Sequence, residues 1–91
     1  MLHAFLMITA EPARVAELSE LLADVEGIAE VYSVAGEVDL IAIVRVPHHD
    51  DLADVVTRHV AQLPGIIATR TMVAFKAYSR RDLDALWDIG E

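Results

Sequence analysis

The fold is decided by residues 18–28, LSELLADVEGI, because the chain repeats this pattern 38 positions later as residues 56–66, VTRHVAQLPGI. In both copies apolar residues recur at helical spacing, a glycine follows, and a β-prone segment begins at an isoleucine. The repeat therefore predicts two helices, each followed by a strand. The matched positions are Leu18 with Val56, Leu22 with Val60, Val25 with Leu63, Gly27 with Gly65 and Ile28 with Ile66.

An apolar, β-prone run also precedes each copy. The first strand is predicted over residues 3–10 and the third over 39–46. The second and fourth strands are predicted over 28–35 and 66–78. In the resulting order, β-α-β-β-α-β, right-handed crossovers put both helices on one face of a four-stranded antiparallel sheet. The sequence thus predicts an α+β, ferredoxin-like fold that forms a single domain over residues 1–91.

Both faces of the predicted sheet are apolar. In the first strand Ala4, Leu6 and Ile8 point one way, whereas Phe5 and Met7 point the other. Two helices can cover only one face, so the other face would be a larger apolar patch than a monomer usually exposes. The composition agrees, with 55% hydrophobic residues and a mean hydropathy of +0.41. We expect two copies to pair sheet to sheet as a dimeric α/β sandwich.

The C-terminal residues predict a short third helix. Ser79 followed by Asp82 resembles a capping box, and Leu83, Leu86 and Trp87 form a one-sided apolar patch. We expect this helix to dock on the sheet or on a neighbouring subunit.

Charge and composition argue against several functional classes. Fifteen acidic against seven basic residues give a formal net charge of −8, which opposes phosphate binding and a direct nucleic-acid partner. No apolar run is long enough to cross a membrane, and the N-terminus lacks the basic segment of a signal peptide. The chain has no cysteine, which removes thiolate metal sites and cysteine nucleophiles and fits a cytoplasmic location.

No catalytic or metal-binding motif stands out. His48, His49, Asp50 and Asp51 are suitable ligand types for zinc or nickel, but adjacent residues rarely converge on one ion, and a solvated helix start explains them more simply. His59 lies at the edge of the apolar stripe of the second helix, where packing is expected. The sequence also lacks phosphate-loop, hydrolase-elbow and metalloprotease motifs. It therefore predicts no catalytic residue, no metal and no cofactor.

The segment that contains the connection between the second and third strands, residues 32–39, YSVAGEVD, is unusual. Gly36 permits a positive φ, and Asp39 places a carboxylate three residues later. Loop amides beside a carboxylate could bind a zwitterion, with the amides on its carboxylate and Asp39 on its ammonium. Alternatively, Gly36 serves only the turn geometry and Asp39 caps the turn. The spacing alone favours this second, structural interpretation.

The hairpin and the last strand resemble a known family. The string VYSVAGEVDLIAIVRV, the Pro-Gly-Ile before the fourth strand and the Thr-x-Thr of Thr69 and Thr71 resemble the effector-binding domain of the Lrp/AsnC (feast/famine) transcriptional regulators, also called the RAM domain. The resemblance extends from the first strand to Tyr78. Those regulators carry an N-terminal helix-turn-helix domain, whereas this chain begins at the first strand of the effector domain, so it resembles the stand-alone type.

The resemblance implies an oligomer that binds a small effector, commonly an amino acid. Family dimers pair sheet to sheet and assemble into tetramers, octamers or larger rings, with effectors between dimers. Asp39 would then receive the effector's ammonium. Arg70 departs from the family pattern: it could pair with Glu37, narrow the pocket or favour an acidic ligand. The hairpin and the Thr-x-Thr of a neighbouring subunit would supply the ligand-binding residues Tyr32, Ser33, Val34, Ala35, Gly36, Glu37, Val38, Asp39, Thr69, Arg70, Thr71 and Met72.

We therefore expect a non-enzymatic effector-binding and oligomerisation module in transcription regulation, without its own DNA-binding domain. Its candidate partners are an amino acid, further copies of itself and full-length Lrp/AsnC regulators. Two alternatives stay open. A small dimeric ferredoxin-like enzyme, of monooxygenase or isomerase type, would show a deep polar cavity lined by His59 or His3. An ACT-like regulatory subunit would associate edge to edge.

Overall fold

A computed structural model describes residues 1–80 of the chain, and the C-terminal helix predicted from Asp82 onward lies outside the described residues. Within them the predicted order β-α-β-β-α-β is confirmed. Among these residues no helix is long and apolar enough to span a membrane. The strands are β1 (Leu2–Ala10), β2 (Ile28–Ser33), β3 (Leu40–Val46) and β4 (Ile66–Val73). The helices are α1 (Val15–Ala23), after a 3₁₀ turn at Pro12–Arg14, and α2 (His49–Asp54), which continues as a π-helical segment at Val55–Val60.

The four strands form one antiparallel sheet in the order β2-β3-β1-β4. Both helices pack on the same face, which we call the helix face. The core between this face and the helices contains no polar or charged residue within the described part of the chain. Its buried members are Ala4, Leu6, Ile8, Ala10, Leu18, Leu22, Ile28, Leu40, Ala42, Val44, Val46, Leu52, Val55 and Val60.

The second helix changes from α to π geometry where its apolar spacing requires it. Val55 and Val60 are both buried, although residues five apart lie on different sides of an α-helix. In a π-helix the bonding span is five residues, so positions five apart return to nearly the same side. The Ala61 N–H donates to the Val56 carbonyl oxygen at 3.1 Å, which is this longer bond. The wider turn therefore brings both valines onto the sheet.

The two glycines of the repeat allow the two halves of the fold to pack closely against each other. Gly27 and Gly65 both have positive φ, +99° and +93°, just before β2 and β4. A Cβ on Gly27 would lie 2.9 Å from Val55 Cγ2, and a Cβ on Gly65 would lie 2.9 Å from Arg14 Cβ. Each glycine therefore packs against a helical segment of the other βαβ half of the chain, so closely that there is no room for a Cβ atom.

The last strand ends earlier than the sequence predicts. β4 was expected to reach residue 78 but stops at Val73. Its ladder partner β1 begins at Leu2, which in the observed register lies opposite residue 75, so β1 offers no pairing as far as residue 78. The Ala74 N–H still donates to the His3 carbonyl oxygen at 2.9 Å. Within residues 1–80 the ladder does not continue past Ala74, and Phe75 is fully exposed.

The face opposite the helices, which we call the open face, is apolar at its centre, as the alternation predicts. Phe5 pairs with Ile43 on β3 and with Met72 on β4, and Met7 pairs with Ile41 in the next row. Phe5 is 38% exposed and Met72 is 50% exposed. These five side chains form an apolar surface that nothing in the described chain covers.

Replacing Gly65 by Ala tests the close approach of the two halves. The new Cβ would combine left-handed backbone strain, about 1–3 kcal/mol, with overpacking against Arg14, about 1–3 kcal/mol. Gly36→Ala is the matched control, since Gly36 also has positive φ but has open space around it. Urea unfolding at one fixed protein concentration should show a greater loss of stability for Gly65→Ala. Equal losses would contradict the packing argument.

Candidate functional site

The connection between β2 and β3 forms a hairpin with an exposed tip. The Val34 N–H donates to the Asp39 carbonyl oxygen at 3.0 Å and closes the loop. Gly36 at the tip has a φ of +146°. Within the described part of the chain, the amides of residues 35–38 donate to no backbone or side-chain acceptor. The tip therefore presents four successive amides that can donate to a ligand.

Asp39 fastens the base of this hairpin to β1. Its N–H donates to the Ile8 carbonyl oxygen at 2.9 Å, and its Oδ2 accepts a hydrogen bond from the Ala10 N–H at 2.8 Å. The side chain is only partly exposed. One carboxylate oxygen is thus engaged by the backbone of β1, and not by the turn that the sequence offered as the structural alternative to ligand binding.

The residues of the Thr-x-Thr segment lie on two faces of β4. Thr69 and Thr71 pair with Ile8 and Leu6, so they share the helix face. Arg70 and Met72 lie on the open face. A single flat wall therefore cannot contain all four of them. All four are nevertheless exposed, because β4 is an edge strand.

Hairpin and β4 meet within one chain around a small depression, which we call the hairpin cavity. β1 supplies its floor, because β1 lies between β3 and β4 in the sheet. The cavity has a volume of about 120 Å³. Its lining residues are Met7, Thr9, Glu37, Val38, Ala68, Thr69 and Arg70.

Four residues expected at a ligand site are thus brought together: Glu37, Val38, Thr69 and Arg70. The others lie around or away from the cavity. Tyr32 and Met72 stand on the open face, Thr71 stands on the helix face, and Asp39 is not among the lining residues. The β1 residues Met7 and Thr9 were missed, because only the strand order reveals that β1 runs beneath the hairpin.

A polar cluster that sequence reasoning missed borders the open face on the β2 side. The Tyr32 hydroxyl donates to Glu30 Oε2, and Arg45 Nη1 donates to Glu30 Oε1 at 3.2 Å. The hydrogen bond from Tyr32, followed by that from Arg45, holds the pKa of Glu30 below its usual value. The bond to Glu30 in turn raises the pKa of Tyr32. Glu30 and Tyr32 share a face by the ordinary alternation of a strand, and the bulge between Ile28 and Glu30 allows Ile28 to lie on the opposite, helix face.

Within residues 1–80, the hollow beside His59 lies at the surface of the protein. It has a volume of about 420 Å³ and also borders Gly27, Asp51 and Asp54, and both His59 and Asp54 are exposed. The space between sheet and helices is filled by apolar side chains. Among residues 1–80 no group of three or more histidine, aspartate or glutamate residues is placed to hold a metal ion. Asp51 instead accepts a hydrogen bond from the His48 N–H at 3.1 Å, at the start of α2.

Known proteins share this fold and much of this sequence. The family model for the Lrp/AsnC ligand binding domain matches residues 3–84. The crystal structure of TTHA0845 from Thermus thermophilus is similar at 44% identity with a TM-score of 0.84, covering 88% of this chain and 100% of that one. A feast or famine regulatory protein from M. tuberculosis, complexed with L-methionine, is 30% identical with a TM-score of 0.73, over 89% of this chain and 55% of that one.

The curated relatives are longer. The HTH-type transcriptional regulator PF0250 from Pyrococcus furiosus is 32% identical over 75 residues, which are 79% of this chain and 50% of the regulator. The chain therefore spans about half the length of the curated relatives that it matches.

The raised pKa of Tyr32 gives a test of the polar cluster. The folded state holds the phenol proton of Tyr32 more tightly than the unfolded state does. The hydrogen bond from Tyr32 therefore stabilises the fold below a pH of about 10, and this stabilisation is lost as the pH rises through the pKa of Tyr32 in the folded state. The difference between tyrosinate absorbance titrations of the wild type and Tyr32→Phe should place the Tyr32 midpoint above about 10. In Glu30→Gln the midpoint should move down. A midpoint that Glu30→Gln leaves in place would contradict the hydrogen bond.

Proposed function

The chain belongs to the Lrp/AsnC ligand-binding domain family, and we propose that it binds an amino acid as a regulatory effector and does not turn over a substrate. The observation that carries this proposal is the hairpin cavity, which is lined by Glu37 and Val38 of the hairpin, whose backbone amides donate to no acceptor within the described residues, and by Arg70 of β4. Backbone amides and the Arg70 guanidinium both donate hydrogen bonds of the kind that a carboxylate accepts. An amino acid supplies that carboxylate.

The class of ligand is supported by relatives. The M. tuberculosis regulator and a Neisseria meningitidis transcriptional regulator were both solved with L-methionine bound. The hairpin cavity has the apolar residues Met7, Val38 and Ala68 in its lining. L-methionine is therefore the first effector to test.

We further propose that two copies pair through their open faces. Phe5, Met7, Ile41, Ile43 and Met72 form an apolar surface that a second copy of the same surface would cover. The hairpin cavity adjoins this surface through Met7, so a paired copy would border the bound effector. Larger rings, and association with full-length Lrp/AsnC regulators, would couple effector binding to transcription.

Asp39 tests which groups hold the effector. If Asp39 only positions the hairpin, Asp39→Asn should keep most of the stability and the affinity, because the amide oxygen still accepts from Ala10. Asp39→Ala should lower the free energy of unfolding by about 1–3 kcal/mol by leaving that N–H unpaired. Isothermal titration with L-methionine and the other standard amino acids measures the affinity.

Two outcomes of that titration decide different points. An Asp39→Asn protein that is stable but binds no amino acid would show that the charge of Asp39 contacts the ligand. A wild-type chain that binds none of the amino acids would contradict the proposed function.

Charge placed on the open face should prevent pairing. Phe5→Asp would bury a carboxylate in an apolar interface at a cost on the order of 3 kcal/mol or more, about a hundredfold in the dimer Kd. Ala16→Asp adds the same charge on the exposed side of α1 and serves as control. Sedimentation velocity should show dissociation of Phe5→Asp only. An edge-to-edge dimer of the ACT type would survive both substitutions and would refute face-to-face pairing.

A further inference from the structure

Three of the five arginines within residues 1–80 are held in ion pairs with carboxylates. Arg14, Arg45 and Arg58 each form an ion pair, with Glu11, Glu30 and Asp54 respectively. Within residues 1–80 Arg70 forms none, although the whole chain has fifteen acidic residues against seven basic ones. An arginine without a carboxylate partner in so acidic a chain is available to an anion from outside.

Glu37 stands in the same cavity and is likewise unpaired within residues 1–80. It comes from the hairpin, whereas Arg70 comes from β4, and the floor between them is formed by Met7 and Thr9 of β1. The two charges therefore line one cavity without forming an ion pair with each other. A cation and an anion held apart in this way complement a ligand that carries both charges.

The size of the cavity fits the charged end of an amino acid. A volume of about 120 Å³ equals the share of roughly four water molecules in the liquid, which accommodates an ammonium, a Cα and a carboxylate. A longer side chain would extend from the cavity along Met7 onto the open face.

We propose that the hairpin cavity binds an amino acid in its zwitterionic form, with the carboxylate on the Arg70 guanidinium and the ammonium on the Glu37 carboxylate. This inference rests on the proposed function and assigns its charge recognition. Arginine presents paired N–H donors that match the two oxygens of a carboxylate. Asp39, with one oxygen held by the Ala10 amide, then positions the hairpin and does not contact the ligand.

The proposal is tested by removing one charge from the ligand and one from the protein. Isothermal titration is carried out on the 91-residue chain with L-methionine, with L-methionine amide, which lacks the carboxylate charge, and with desamino-methionine, which lacks the ammonium. Should another standard amino acid bind more tightly, its amide and desamino form replace these. The protein variants are Arg70→Gln and Glu37→Gln, and the matched controls are Arg58→Gln and Glu20→Gln, which lie outside the cavity.

Arg70→Gln should weaken L-methionine binding roughly ten- to a hundredfold. L-methionine amide should bind the wild type about as weakly as L-methionine binds Arg70→Gln. Arg70→Gln should lower the affinity for the amide little further, because the contact between Arg70 and the carboxylate is already absent. Glu37→Gln should likewise weaken L-methionine binding, and desamino-methionine should bind the wild type weakly. Glu37→Gln should weaken the binding of desamino-methionine little further, because the ammonium contact is already absent. The controls should bind as the wild type does.

The remaining outcomes distinguish failure of the Arg70 and Glu37 assignment from failure of the proposed function. If L-methionine or another amino acid binds, but Arg70→Gln weakens the acid and its amide by the same factor, Arg70 does not contact the carboxylate and this inference is overturned, while the proposed function stands. If no standard amino acid binds the wild type, both fall together.

Discussion

The structure depends on one constraint: its central strands are apolar on both sides, and the two helices cover only one side. The helix face closes over a core with no polar residue among the described positions. The open face leaves Phe5, Ile41 and Ile43 against solvent in the isolated chain. Apolar surface of this kind gains free energy whenever it is removed from water, at roughly 25 cal/mol per Å². We propose that self-association covers this surface, and a paired copy would then border the candidate site.

The candidate site exists because the sheet order brings separate segments together. β1 lies between the β2–β3 hairpin and β4, so the hairpin tip and the edge strand face each other across it. Asp39 fixes the hairpin to the end of β1 through two hydrogen bonds, one from its own N–H and one to its carboxylate. The loop amides, Glu37 and Arg70 can then act on one ligand. The cavity also adjoins the open face at Met7, so effector binding and subunit pairing would share a boundary.

The sequence was sufficient for the order of the elements, because the repeat carries helix, glycine and strand signals twice. It was not sufficient where tertiary pairing decides the outcome. The end of β4 depends on where β1 begins, and a bulge between Ile28 and Glu30 puts these two residues on opposite faces of the sheet. The local sequence pattern does not encode either of these features. Of the residues that line the hairpin cavity, Glu37 and Arg70 were named from the sequence, whereas the contribution of Met7 and Thr9 follows only from the strand order. For Asp39, the two interpretations could be weighed only once the Ala10 hydrogen bond was seen.

The central claim is that the open face is covered by a second copy. Sedimentation equilibrium of the wild-type chain over the micromolar range measures this most directly. The account predicts a mass of at least twice the 10.0 kDa of one chain. A single species of 10.0 kDa throughout that range would contradict it, because the apolar face would then be stable in water without a partner.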